Sequence, residues 1–197
     1  MMERQSTEIR QEQIKQAVLD IIFTDGLKNL STRNLAKKIG MSEATIFRHF
    51  ATKQDIILSI IADFQNELIG ALSTIANSKV ESKQRLHDFL CTTVKYLTDN
   101  KGITILLLSE ASNNNDAVLK DKLRQIFNSQ KELFSKIICD GIATGLWDEN
   151  ISVDDVATLY MGIPVSVNVN LVLSGGEFHL DNFCKRMMRL LLKILNK

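Results

Sequence analysis

With 197 residues, 45% hydrophobic and 24% charged, and a formal net charge of +1, the chain falls outside the disordered and fibrous classes and holds either one good-sized core or a small domain beside a larger one. The opening MMERQSTEIRQEQ has no apolar h-region, and the longest strongly apolar run, residues 103–108, is too short to cross a bilayer, so no signal peptide, no membrane partner and a cytoplasmic location are expected. Three widely spaced cysteines, Cys91, Cys139 and Cys184, form no C-x-x-C and read as reduced thiols.

A single proline and repeated i, i+3, i+4 apolar spacing predict an all-α protein of about nine helices. Ile14, Ala17, Val18, Ile21 and Ile22 give the first apolar face, ended by Asp25-Gly26. Leu35, Ala36 and Ile39 give a short second helix, opened by Ser31 or Thr32 and stopped at Gly40. Ile46 and Phe50 mark a third. Thr52 with Asp55 three residues on resembles a capping box for a fourth, which carries Ile57, Ile60, Ile61, Phe64, Leu68 and Leu72 inward.

Longer elements follow. Ser82 opens a helix with Leu86, Phe89, Leu90, Val94 and Leu97 inward, and a short helix covers Ile103 to Ala111. A long one is striped by Leu119, Leu123, Ile126, Phe127, Phe134, Ile137, Ile138 and Gly141, and the last runs from Leu180 to Leu195. Val165 to Leu173, VSVNVNLVL, opens with strand-like alternation, but a lone strand has no partner, so a helix kinked near Pro164 is expected.

Charge is distributed unevenly. Between Gly26 and Lys53 six cations (Lys28, Arg33, Lys37, Lys38, Arg48, Lys53) face one acid, Glu43, while residues 54–197 hold fifteen cations and seventeen acids. A basic module on a mildly acidic body points to a polyanion partner for the first part alone. Two short helices joined by Gly40-Met41-Ser42 have the layout of a helix-turn-helix. At about 1.5 Å per residue, the segment from Ser42 to His49 has the length to lie in a major groove. With Ile46 and Phe50 inward, the outward arc holds Ala44, Thr45, Phe47 and Arg48. A solvated basic face is the plainer reading of the same pattern.

The stretch GLKNLSTRNLAKKIGMSEATIFRHFATK, residues 26–53, resembles the N-terminal DNA-binding domain of the TetR family of bacterial transcriptional regulators. The likeness rests on the glycine after the first helix, hydroxyls and Arg33 opening the second, Gly40, Ser42, Thr45, the run Phe47-Arg48-His49-Phe50, and Lys53. It covers about the first quarter of the chain. It implies phosphate or near-phosphate contacts at Thr32, Arg33, Thr45, His49 and Lys53, and base readers among Ser42, Glu43, Ala44 and Arg48. Where the family usually has tyrosine this chain has Phe47, so only an apolar contact carries over.

The resemblance further implies residues 1–53 as a helix-turn-helix DNA-binding domain and 54–197 as a helical effector-binding and dimerisation domain, with the boundary inside the fourth helix. Phe64, Phe89, Tyr96, Phe134, Trp147, Asn168 and Asn170 are candidates for a pocket taking a small apolar or amphipathic effector. Val156, Tyr160 and Ile163, with Phe183, Met187, Leu191 and Ile194, supply two stripes suited to a homodimer interface or to the monomer's own core. His87 and Cys91 lie four apart, as metal ligands do, but no third ligand stands at motif spacing, and no catalytic or nucleotide-binding fingerprint occurs. No metal, cofactor or catalytic residue is expected. The expected function is a dimeric repressor that binds a near-palindromic DNA operator and is released by its effector. A scaffold deficient in DNA binding and a small-molecule carrier are the alternatives.

Overall fold

The computed structural model describes residues 6–26, 29–113, 116–176 and 181–196, and among these nine helices and no strand are found. The first three, α1 (Thr7–Asp25), α2 (Thr32–Ile39) and α3 (Glu43–His49), form a small head. Ile14, Val18, Ile21, Leu35, Ile46 and Phe50 make its core. The sequence writes each boundary. Ser31 caps α2 by accepting from the Asn34 amide at 3.1 Å, and Ser42 caps α3 by accepting from Thr45 at 3.2 Å. Between them Gly40 takes the left-handed conformation at φ 65°, which a side-chain-bearing residue adopts only at a cost.

The fourth helix, α4, begins at Lys53 with the expected capping box. Thr52 accepts from the Asp55 amide at 3.1 Å, and Asp55 accepts from the Thr52 amide at 2.9 Å. It runs as α-helix over Lys53–Phe64, opens into a π-helical turn over Gln65–Ile69, and returns to α-helix over Gly70–Ala76. The buried stripe explains the irregularity. Phe64, Leu68, Leu72 and Ala76 recur every four residues, a spacing that would drift around a regular helix of about 3.6 residues per turn. The wider π turn absorbs part of the drift and keeps the stripe inward.

The body is built around α5 (Ser82–Asp99), which packs on α4, on α7 (Ala117–Ala143), on α8 (Val153–Leu173) and on α9 (Phe183–Leu195), while α6 (Ile103–Asn113) packs on α7, α8 and α1. At its centre three rings meet: Phe134 stacks on Tyr160 at 4.0 Å, and Phe89 approaches Tyr160 edge-on at 5.7 Å. Beside them the Tyr160 and Thr93 hydroxyls lie 3.0 Å apart, and Gln130 donates to Thr93 at 3.3 Å, so the buried oxygens are satisfied.

Val165 to Leu173 is helical, as expected, with Pro164 inside α8. The alternation reflects two apolar faces of one helix, not a strand. The last helix starts at Phe183, three residues later than predicted, and Leu180 lies outside the described residues. Helices Lys53–Ala76 and Val153–Leu173 have the length and apolar composition of a bilayer span, although the longest uninterrupted apolar run in the sequence is short. Each packs one apolar face on neighbouring helices of the body, through Phe64, Leu68 and Leu72 in the first and Val156, Tyr160, Val167 and Leu171 in the second.

Candidate nucleic-acid interface and ligand cavity

Helix α3 is anchored by buried Ile46 and followed by buried Phe50, which fixes the arc that faces outward. Ala44, Phe47 and Arg48 are exposed on it, Phe47 by 48%. Water exposure of a phenyl ring has no structural benefit, whereas a ring there can press on a sugar or a thymine methyl. Arg48 lies back along the helix and donates to the Thr45 hydroxyl at 3.0 Å, and that hydroxyl lies 2.9 Å from the Ser42 hydroxyl. Ser42, Thr45 and Arg48 therefore form one hydrogen-bonded line, with Ser42 and Thr45 engaged in capping and in holding Arg48.

The flanking residues are placed as follows. Thr32 is the first residue of α2 and donates its hydroxyl to Glu43 at 2.6 Å, so these two predicted contacts are bonded to each other. Arg33 is exposed beside them. His49 is half-buried; its backbone carbonyl accepts from Gln11 at 3.4 Å, and its Nδ1 is enclosed without a hydrogen-bond partner. Lys53 opens α4. Together the N-termini of α2 and α4 and the outer arc of α3 carry Arg33, Arg48 and Lys53. Cations beside helix N-termini are of the chemistry that binds phosphate oxygens.

A cavity of about 440 Å³ opens between α6, α7 and α8. Its walls are mainly apolar, including Leu97, Ile105, Leu123, Ile126, Met161 and Pro164, with Gln130, Thr104 and Asn168 as polar points and Lys120 and Arg124 as cations. Asn168 is fixed in place, accepting from Thr104 at 2.8 Å and donating to the Pro164 carbonyl at 3.0 Å. Arg124 pairs with Asp121. Size and lining fall within the ordinary range for a small-molecule site.

Of the seven residues proposed for a pocket, Phe64 and Asn168 line this cavity. Phe89 and Phe134 are core rings with no exposed surface. Trp147 sits against Gly141, where a Cβ would come within 2.2 Å of its ring. Asn170 is exposed and donates to the Ser166 carbonyl. Tyr96 is half-buried and stands behind Phe64, ring centres 5.0 Å apart, with its hydroxyl donating to Glu67 at 3.2 Å. Leu108, Leu123, Phe127 and Val165 also line the cavity and are not among the residues the sequence suggests for a pocket. Their apolar character gave no signal that separated them from core.

The proposed dimer residues also divide. Val156, Tyr160 and Leu191 are buried in the protomer, and Ile163, Phe183 and Met187 are half-buried. Ile194 is exposed together with Leu190 on α9, and Leu159, Val169 and Leu173 are exposed along α8. The spacing of Leu159, Gly162, Ser166, Val169 and Leu173 is that of a heptad stripe. Leu173 is 81% exposed. The outward stripe was overlooked because α8 is apolar on both sides, and periodicity does not say which side faces the protomer's core.

The thiol of Cys91 stands 3.6 Å from His87 Nε2, and burial, with Cys184 beside it, pushes Cys91 up to about 12. Among the described residues no group of three or more His, Cys, Asp or Glu is placed to hold a metal.

Comparison with known proteins bears on both halves. Residues 16–60 match the family described as bacterial regulatory proteins, tetR family, and residues 63–194 match the YsiA-like protein, C-terminal region. The nucleoid occlusion factor SlmA of Haemophilus influenzae (strain PittGG) is 25% identical over 138 residues, 70% of this chain, and the chain spans 63% of that relative's length. The fatty acid degradation regulator FadR of Bacillus halodurans superposes with a TM-score of 0.79 at 17% identity, over 96% of this chain and 97% of its own. The transcriptional regulator FadR of Bacillus subtilis, solved in complex with stearoyl-CoA, does so with 0.75 at 20% identity, over 94% of this chain and 99% of its own. At these identities the structural likenesses concern the fold.

Proposed function

The chain belongs to the TetR family of bacterial regulatory proteins, and from that premise we propose that it is a one-component transcriptional repressor acting as a homodimer on a near-palindromic operator. The observation that carries the reading is the outer arc of α3, where Ala44, Phe47 and Arg48 stand exposed on a helix anchored by Ile46. In this reading Ala44 allows close approach, Phe47 presses on a sugar or thymine methyl, and Arg48 reads a base from the Ser42–Thr45–Arg48 line. Arg33, His49 and Lys53 hold phosphates. Residues 1–53 work as the DNA-binding unit and 54–197 as the effector and dimer unit, with α4 shared between them. The exposed stripes of α8 and α9 bury each other across the two-fold axis, which sets two α3 helices about 34–36 Å apart, one turn of the duplex.

The effector we infer is an amphipathic molecule with an apolar chain, seated in the cavity between α6, α7 and α8. The apolar walls with Lys120 and Arg124 among them support that chemistry, as does the stearoyl-CoA held by the Bacillus subtilis FadR structure. Its binding reaches the head through α4. Phe64 lines the cavity one residue before the π turn, and Tyr96 links the Phe64 ring to Glu67 within that turn. An effector that favours the DNA-incompetent spacing of the heads weakens operator binding by a coupling of about 1–3 kcal/mol. The test is an electrophoretic shift with the region upstream of the protein's own gene, across salt concentrations, with and without stearoyl-CoA. A specific shift weakened by the acyl-CoA supports the whole reading. A specific shift indifferent to it overturns the effector, and no specific shift at low salt overturns the regulator.

A further inference from the structure

We propose that Glu43 is a specificity-determining residue that acts as an internal stand-in for a DNA phosphate, keeping the Thr32 hydroxyl occupied until α3 is seated on its operator. The inference rests on the reading of α2 and α3 as the DNA-binding pair.

The geometry is local and complete. Ser31 caps α2, accepting from the Asn34 amide, so the hydroxyl of Thr32 is not needed to start that helix. It donates instead to Glu43 Oε2 at 2.6 Å, linking the first turn of α2 to the first turn of α3 across eleven residues of chain. No acidic residue lies in the first turn of α2 itself, so the positive end of that helix meets its anion from α3. A carboxylate there offers what a phosphate would offer: anionic oxygens that only accept hydrogen bonds. From Asn29 to Lys53 Glu43 is the sole acid, among Arg33, Lys37, Lys38, Arg48 and Lys53. A lone carboxylate placed on a phosphate-facing hydroxyl lowers affinity for any polyanion.

That loss is useful because it is not the same for all duplexes. On random DNA the head rests on the backbone alone, Glu43 stays on Thr32, and its charge repels the nearest phosphate. On the operator, base contacts by Arg48 and Phe47 hold α3 deep enough for a phosphate to displace the carboxylate from Thr32. Specificity then comes partly from a repulsive element that only the right partner overcomes.

The experiment compares binding of wild type, Glu43→Gln and Thr32→Val to the operator and to a random duplex of equal length, across salt. Glutamine still accepts from Thr32, so the link between helices is kept and only the charge is lost. Glu43→Gln is expected to tighten random-duplex binding several-fold and to steepen its salt slope by about one unit, as one more phosphate is engaged, with a smaller gain on the operator. Thr32→Val, added to Glu43→Gln, is expected to remove that extra unit of slope. Unchanged random-duplex affinity and slope in Glu43→Gln would mean a mere brace between helices and would overturn the proposal. A changed base preference at one operator position, with random binding unaltered, would make Glu43 a base reader and overturn it as well. Failure of the wild type to prefer its operator is a different result, and sinks the regulator reading instead.

Discussion

Phe64 meets Tyr96 edge-on, ring centres 5.0 Å apart and planes at 83°, with one ring on the cavity wall and the other bonded to the π turn of α4. Tyr96→Phe keeps the ring pair and removes only the hydroxyl that donates to Glu67. Because Glu67 is exposed, the stability loss should be modest, about 0.5–1.5 kcal/mol in urea unfolding. The informative readout is the ratio of operator affinities with and without acyl-CoA. That ratio should shrink, and an unchanged ratio would show that the Tyr96–Glu67 bond takes no part in transmission.

Arg48 and Lys53 should fail differently. Arg48→Ala is expected to cost about 1–3 kcal/mol on the operator and to relax one or two base positions, whereas Lys53→Ala should weaken all duplexes alike and flatten the salt slope by about one unit. Binding-site selection on each variant checks this, and equal loss of sequence preference in both would refute the division of roles.

The exposed stripe of α8 and α9 makes a prediction about assembly. Leu190 is half exposed on the protomer, so Leu190→Arg should leave thermal unfolding of an isolated protomer within about 0.5 kcal/mol. If the proposed dimer uses this stripe, sedimentation should show a monomer for the variant and a dimer for wild type, and a dimer of the variant would refute the assignment of the stripe. Phe134→Ala, in the ring cluster beneath, should cost about 3–5 kcal/mol of stability.

Asp140 links pH to stability. Lys136 and Arg85 both donate to it, at 2.7 and 2.8 Å, and hold its carboxyl below the usual carboxylate range against the opposing effect of burial. A folded-state value lower than the unfolded one means the contribution is fully present above the ordinary value of 3.8 and is lost as pH falls through the depressed one. Asp140→Asn should therefore flatten the acid limb of the stability–pH curve below about pH 4 and leave its slope near neutrality unchanged.

Thiol labelling should be ordered by exposure and ionisation. Cys139 is exposed, while Cys91 is pushed up to about 12 by burial and its neighbour Cys184. Timed reaction with a disulfide reagent at pH 8, followed by peptide mapping, should find Cys139 modified first and Cys91 last.

Much of the fold was legible because helix boundaries are written in short-range chemistry. Gly40, and Thr52 with Asp55, act within four residues of themselves and cap where the sequence places them, Ser31 takes the cap that the sequence offers equally to Thr32, and Ser42 caps α3 at the same short range. The outward arc of α3 was equally legible, since Ile46 and Phe50 leave little choice about which way Phe47 and Arg48 point. What was not legible depends on partners distant in the chain. Phe89, Phe134 and Tyr160 are core because three helices bring them together, and a cavity wall such as Phe127 differs from a core ring only by what fails to stand opposite it. The π turn was half-visible: the four-residue spacing of Phe64, Leu68, Leu72 and Ala76 is in the sequence, but only a fixed neighbouring surface turns it into a departure from α-helix. The bond between Thr32 and Glu43 joins residues eleven apart for which the sequence suggests separate tasks, one at a phosphate and one at a base.

The end of α1 touches the body as well as the head. The Phe23 ring lies 5.0 Å from the Lys101 ammonium, and a Cβ added to Gly176 would come within 2.8 Å of it, while Lys15 on the same helix pairs with Asp63 of α4. A head fastened at both places does not swing freely on one stalk. The absent side chain at Gly176, which stands at φ 94°, is what lets the Phe23 ring come in so close, so a bulkier residue there should push the ring aside and loosen the fastening at that end of α1.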